Sequence, residues 1–209
     1  MDILPDQLPY REFYRILISS VAPRPIAWVS TIDSDGRPNL APFSFFNVVS
    51  GKPPILGFSP ALRRLEHGCT SKDTLRNVRE TGEFVVNVVT FELAEGMNLT
   101  SGEYDRTVNE FELAKLATRP STVVRPPQVA ASPVSFECKL CQIMDFGTEP
   151  PSGSFVMGEI VAVHVSESVI KDGRLDPQAL DLVGRMGGSQ YSRTTERFEL
   201  ARPTVPGKS

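Results

Sequence analysis

Proline and glycine are spread along the whole chain, 18 of one and 15 of the other, and no stretch gathers them into a linker. Both residues break regular structure, so this spacing leaves room only for short segments. The segments between them are rich in β-branched and aromatic residues, which predicts many short strands rather than long helices. Residues 25–32 read as a strand. Asp33-Ser34-Asp35-Gly36 follows as a hairpin turn, with Gly36 placed for a positive φ. The return strand is expected over 37–46, a buried third strand over 54–59 and a fourth over 83–90. After an irregular excursion over 100–128, strands resume at 134–144 and 155–165. Helices are expected to be short: 74–80 ending near Gly82, 91–99, a piece near 111–116 and another near 177–182. This pattern predicts a mainly β fold, a barrel with a few inserted short helices, in which closure hides the strand edges. An excursion as long as 100–128 usually serves as a lid or partner contact. A single domain is expected over 1–200, followed by a patternless, disordered tail at 201–209.

The net charge is -3 with both signs interspersed. No basic block argues for nucleic acid or an anionic membrane as partner. No apolar run is long enough to span a bilayer, and the start Met1-Asp2-Ile3-Leu4-Pro5-Asp6 has no signal-peptide pattern. A cytoplasmic protein is expected. Three cysteines make no disulfide framework. Cys138 and Cys141 are spaced C-x-x-C, but inside a strand-like run, where residues three apart face opposite ways. With no second such pair, and with His67 and His164 distant in sequence, no metal site is expected. Cys69 is read as a passive small residue.

Two segments carry unusual chemistry. Ser71-Lys72-Asp73-Thr74-Leu75-Arg76-Asn77 collects hydroxyls, a cation and an amide where a short helix begins. Ser71 or Asp73 can be a plain N-cap, or the turn can seat a phosphate on unpaired N–H groups with Lys72 adding charge. Asn39-Leu40-Ala41-Pro42-Phe43-Ser44-Phe45-Phe46-Asn47 interleaves aromatic and small polar residues. Its rings either fill a barrel core or face a flat, partly polar ligand. Arg24 is a surface arginine in a rigid turn or a second cation near a ligand. His164 is a hydrogen-bonded structural residue or a base, and His67 lies in a polar loop. Arg185 and Tyr191 sit in a glycine-rich segment that either lines a site or is a mobile loop. There is no dinucleotide fingerprint, Walker motif, nucleophile elbow or H-E-x-x-H. No nucleophile is paired with a base and no carboxylate pair stands out, so no catalytic side chain is assigned. A cofactor is expected to carry the chemistry.

The chain resembles the flavin reductase-like family of FMN-binding split barrels. The resemblance rests on the order and spacing of several motifs. These are Ala22-Pro23-Arg24-Pro25-Ile26-Ala27-Trp28-Val29-Ser30-Thr31, the run Asn39 to Asn47, Lys72-Asp73-Thr74 with Asn77, and Glu83-Phe84-Val85-Val86-Asn87. Later come Asn109-Glu110-Phe111-Glu112, Gly158-Glu159-Ile160-Val161 with His164, and Gly184-Arg185-Met186-Gly187-Gly188 with Tyr191. It implies a Greek-key split β-barrel that forms a homodimer with FMN near the interface. It assigns the phosphate to the Lys72-Asp73-Thr74 turn and Asn77, beside which the residue reading also sets Ser71. It sets the flavin ring against Trp28, Ser30, Thr31, Ser44, Phe45, Phe46 and Asn47, with Arg185, Tyr191 and His164 in the outer pocket. The implied activity is NAD(P)H-dependent flavin reduction, with reduced flavin passed to a monooxygenase component. The alternatives are an FMN-binding electron carrier or storage protein, or a split barrel holding another flat ligand such as haem or a deazaflavin.

Overall fold

The computed structural model describes residues 2–65 and 68–203. In chain order the main elements are helix α1 (Tyr10–Ser20), strands β1 (Ala27–Ile32), β2 (Pro38–Phe43), β3 (Phe46–Gly51) and β4 (Pro54–Phe58), and helix α2 (Asp73–Thr81). Then follow β5 (Glu83–Asn87), α3 (Ala94–Leu99), α4 (Glu110–Leu113), β6 (Val134–Asp145), β7 (Ser154–Val165), α5 (Pro177–Leu180), β8 (Val183–Arg185) and β9 (Tyr191–Arg193). Seven strands form one antiparallel sheet in the order β2-β1-β5-β6-β7-β4-β3. Strands β5, β6 and β7 run in sequence and β4 returns beside β7, which is Greek-key order.

The two end strands of this sheet, β2 and β3, are joined by only Ser44 and Phe45. The sheet therefore has to curl until its edges meet. Phe43 of β2 touches Phe58 of β4 across the interior, ring centroids 5.1 Å apart. Among the described residues β2 and β3 form no ladder with each other, so the barrel is split along this seam. The expected single strand over 37–46 is thus two strands, broken at Ser44–Phe45 where the chain crosses from one edge to the other.

Apolar residues alternate into the barrel as the period of two requires. Ala27 and Val29 of β1, Leu56 and Phe58 of β4, Phe84 and Val86 of β5 and Val156 of β7 share this interior with Leu75 and Val78 of α2. α2 ends where Gly82 takes φ 70°, the left-handed C-cap that glycine adopts without strain. Strand β1 is unusual in being buried on both faces. Its outer face sends Trp28 into a second cluster with Met97 of α3, Phe111 of α4, Val129 and Val183. Trp28 Nε1 donates to Thr100 Oγ1 at 2.9 Å, satisfying the one polar atom that burial would orphan.

The hairpin turn after β1 is held by Asp33, which is buried. Its carboxylate accepts from the Asp35 and Arg37 amides and from Arg37 Nε, each at 2.9 Å. Burial raises its pKa, but these bonds outweigh it and bring the value from 3.8 down to about 2. A carboxyl depressed in the folded state stabilises above its unfolded pKa and loses that stabilisation as pH falls through the folded value. The stability difference between wild type and Asp33→Asn should be constant above pH 3.8 and shrink between there and pH 2. Urea midpoints across this range measure it, and a difference that stays constant to pH 2 would refute the role.

Helix α1 and the strand Phe46–Gly51 are elements that the sequence pattern did not predict, as are two small hairpins, Arg63–Leu65 with Gly68–Thr70 and β8 with β9. Cys138 is buried and Cys141 exposed, so the two thiols diverge as the strand geometry requires. The expectations for His67, for the Cys69 thiol and for the end of the tail (204–209) lie outside what is described. Among the described residues no helix is long and apolar enough to cross a membrane.

Candidate functional site

Two adjoining hollows lie beside the start of β1 and the end of β2. The first is a polar recess at the N-terminus of α2. It is lined by Arg63, Lys72, Asp73, Thr74, Thr100 and Ser101, with Asn39 and Glu110 behind them. Lys72 is the N-cap of α2, and no side chain caps the helix. Its first-turn amides therefore keep the partial positive charge of an open helix start. The plain reading of Ser71 or Asp73 as a capping residue does not describe this turn.

The electrostatics of the recess are unbalanced. Lys72 Nζ lies 5.3 Å from the centre of the buried Phe43 ring and has no hydrogen bond or ion pair among the described residues. Burial first, and then the Arg63 guanidinium, hold its pKa below the ordinary lysine value; Glu103 opposes them only in part. Arg63 Nε is buried without a hydrogen-bond partner. The exposed Glu103 stands 3.8 Å from Arg63 Nε, and the other nearby acids are engaged elsewhere or buried. Asp73 pairs with Arg76 and stands 4.0 Å from Arg63. Burial raises the pKa of Glu110 despite the bond that its Oε2 accepts from Leu40 N. Two cations, an open helix start and an orphaned donor are what a small dianion would satisfy. The Thr74 hydroxyl accepts from Asn39 Nδ2 at 3.0 Å, which leaves its proton free to donate.

The second hollow is a cleft of about 360 Å³. Tyr14 and Ile18 of α1, Arg24 and Ile26 before β1, Pro42 and Ser44 at the end of β2, Met97, Asn98 and Ser101 around α3, and Arg185, Gly188 and Tyr191 of the β8–β9 hairpin form its walls. Pro42 and Ser101 line both hollows, so recess and cleft adjoin across these residues. Arg24 is a buried tie. Its guanidinium donates to the Ile18, Val21 and Met186 carbonyls and, at 3.4 Å, to Ser44 Oγ. It thereby fastens the end of α1 to the hairpin. Tyr191 donates its hydroxyl to Asn98 Oδ1 at 3.2 Å, which fixes the hairpin to α3.

The residues singled out in the sequence fall into three groups. Lys72, Asp73 and Thr74 come together in the recess, and Arg24, Ser44, Arg185 and Tyr191 in the cleft. Trp28, Ser30, Thr31 and Asn77 are buried supports whose side chains line neither hollow. Asn77 Nδ2 donates to Thr31 Oγ1 at 3.1 Å, and Ser30 Oγ donates to the Pro127 carbonyl. Asn77 lies one turn deeper, against a separate small void beside Asp33 and Arg106, and its Oδ1 is unpartnered. Ser71 is half-buried beside the recess. Phe45 is exposed outside the cleft, Phe46 packs toward the barrel interior, and Asn47 is exposed and accepts from Val48 N. Sequence reasoning missed Arg63, Tyr14, Asn98, Thr100 and Ser101. The one signal for Tyr14 was the 3–4 spacing of Tyr10, Phe13, Tyr14, Leu17 and Ile18, which marks an amphipathic helix. His164 Nε2 donates to Glu137 Oε1 in a structural pair away from these walls.

A family model described as flavin reductase like domain matches residues 19–180. An uncharacterized protein of Halalkalibacterium halodurans is 41% identical over 207 residues, 98% of each chain. Nitrilotriacetate monooxygenase component B from Bacillus cereus superposes with a TM-score of 0.88 at 32% identity, covering 96% of this chain and 98% of that one. The 2-nitrobenzoate 2-nitroreductase of Pseudomonas fluorescens superposes with a TM-score of 0.85 at 35% identity over 100% of both chains.

Proposed function

The chain belongs to the flavin reductase-like family, and from that premise we propose that it binds FMN and works as an NAD(P)H-dependent flavin reductase. One observation carries the reading. Lys72, which has no ion pair among the described residues, and Arg63, whose carboxylate neighbours stand 3.8 and 4.0 Å away, face a recess at an uncapped helix start, and the recess shares the walls Pro42 and Ser101 with a cleft of about 360 Å³. A terminal phosphate suits the first hollow and a flat heteroaromatic ring the second. When bound, FMN supplies the hydride-accepting chemistry that no side chain of the cleft offers. The residues of the chain hold and orient it. Lys72, Arg63 and the first-turn amides of α2 take the phosphate. The Ser44 and Ser101 hydroxyls and the Asn98 amide offer hydrogen bonds along the ring edges, and Ile26, Pro42 and Met97 give it an apolar floor. The buried positive charge of Arg24 favours negative charge developing on a ring held nearby.

The proposal includes a homodimer and a separate monooxygenase that uses the reduced flavin. In support, the Bacillus cereus relative is named component B of a nitrilotriacetate monooxygenase. The test is the visible spectrum of the purified protein after FMN is added, followed by anaerobic mixing with NADH and with NADPH. A flavin spectrum that bleaches with either nucleotide is expected. Bound flavin that only dithionite reduces would turn the reading toward an electron carrier, and protein that ignores FMN would end it.

A further inference from the structure

We propose that the outer half of the cleft binds a second ligand, a planar ring bearing a carboxylate, with Arg185 as its anion contact. The flavin reading above is used only to place the first ligand in the inner half. Several arginines of this chain are matched with acids: Arg37 with Asp33, Arg79 with Asp145, Arg125 with Glu83 and Arg193 with Asp181. Arg24 and Arg185, which meet at the cleft, are not. They are antiparallel neighbours, joined through their backbones at 2.9 and 2.8 Å, and no carboxylate lines the cleft beside them. Two guanidinium groups held side by side without an anion repel each other, a cost that an incoming carboxylate removes.

The two arginines differ in what they have left to give. Arg24 spends its donors on carbonyls and on Ser44. Arg185 spends Nη2 on the Gly188 carbonyl and lies over the Tyr191 ring, 4.5 Å from its centre. Its Nε and Nη1 have no partner among the described residues. A planar fork with free donors recognises carboxylate geometry.

A second observation points to the ring. Tyr10 stacks on Tyr14 at 5.6 Å, Tyr14 leans on Phe45 at 6.4 Å, and the Arg24 guanidinium lies 5.9 Å from the Phe45 centre. Tyr10 is 53% and Phe45 43% exposed. A row of rings thus runs from solvent to the cleft mouth, where Tyr14 and Tyr191 are both walls. Such surfaces take a flat partner by offset stacking.

Calorimetry with benzoate and its neutral isostere benzamide, on flavin-free and on FMN-loaded protein, tests the assignment. Benzoate should bind roughly tenfold more tightly than benzamide, and Arg185→Gln should abolish that preference. Equal binding of the two probes to the wild type would overturn the proposal without recourse to any variant. So would a preference that survives Arg185→Gln. Adenosine 2′,5′-bisphosphate is the rival probe. If it binds more tightly than benzoate and weakens in the same variant, Arg185 serves a nucleotide phosphate and the proposal fails. Loss of FMN binding altogether would sink the flavin reading while the benzoate preference on flavin-free protein stood or fell by itself.

Discussion

Lys72→Ala is expected to weaken FMN binding by about 1.5–3 kcal/mol and to leave riboflavin binding nearly unchanged. The two ligands share the ring and the ribityl chain, and only FMN carries the phosphate. Lys72 has no hydrogen bond or ion pair among the described residues, so its removal deletes a contact to the ligand and, within the protein, only the approach to the Phe43 ring. Its depressed pKa adds a pH signature. Burial and Arg63 disfavour the charged form in the free protein, whereas a bound dianion favours it. In alkaline solution, where the free protein's Lys72 loses its proton, binding should be accompanied by proton uptake and FMN affinity should fall as pH rises. Lys72→Met separates this role from a structural one. It removes a charge that is costly to bury, so the flavin-free variant should melt no lower than the wild type. Fluorescence titration with both flavins across alkaline pH measures the effect. Equal losses for FMN and riboflavin would remove Lys72 from the phosphate site.

How much of this was legible depends on whether the signal was local. The α2 turn was readable because its boundaries are set by its own residues, a polar start and a glycine at φ 70°. The hairpin at Asp33–Gly36 was readable for the same reason. The ring wall was harder. Trp28, Ser30 and Thr31 were assigned to it by the family resemblance, which sets the whole strand against the ring. Strand β1 is covered on both, by the barrel interior and by the α3–α4 layer, so those side chains support the site from behind. Alternation cannot reveal a second covering layer that comes from residues 94–129. Arg63, Ser101 and Tyr14 were missed because each enters from a separate segment and only the folded chain brings them together. Helix α1 has the right apolar spacing but begins at Pro9 without a side-chain cap and buries none of its residues, so both terminus signals and burial signals are weak.

Glu137 shows the same limit, and it is where the largest loss of stability is expected. It sits on β6 in a run that reads as an ordinary strand, yet its side chain is completely buried. Oε1 accepts from Thr122 N at 2.6 Å and meets His164 Nε2 at 2.5 Å. Oε2 accepts from Val123 N at 2.6 Å and Val124 N at 2.9 Å. One carboxylate thus satisfies three successive amides and pins the 120–128 excursion to the sheet. That segment then packs along β1, where the Pro127 carbonyl accepts from Ser30, and Val129 N donates to Asn87 Oδ1. Glu137→Ala strands these amides and the histidine in a buried space, which should cost about 3–5 kcal/mol. Glu137→Gln keeps the volume but turns an amide group toward N–H donors, and it should recover only part of that. Burial pushes the carboxyl pKa up, but the Thr122 and Val123 amides, His164 and Val124 outweigh it, so the folded value lies below the ordinary one. The stabilisation is therefore complete above the ordinary carboxylate range and is lost as pH falls through the depressed folded value. Urea unfolding of the wild type and both variants, at neutral pH and in acid, reads this directly. The wild-type advantage should be full at neutral pH and narrow in acid. A Glu137→Gln midpoint equal to wild type at neutral pH would show that the excursion is held by something other than this carboxylate.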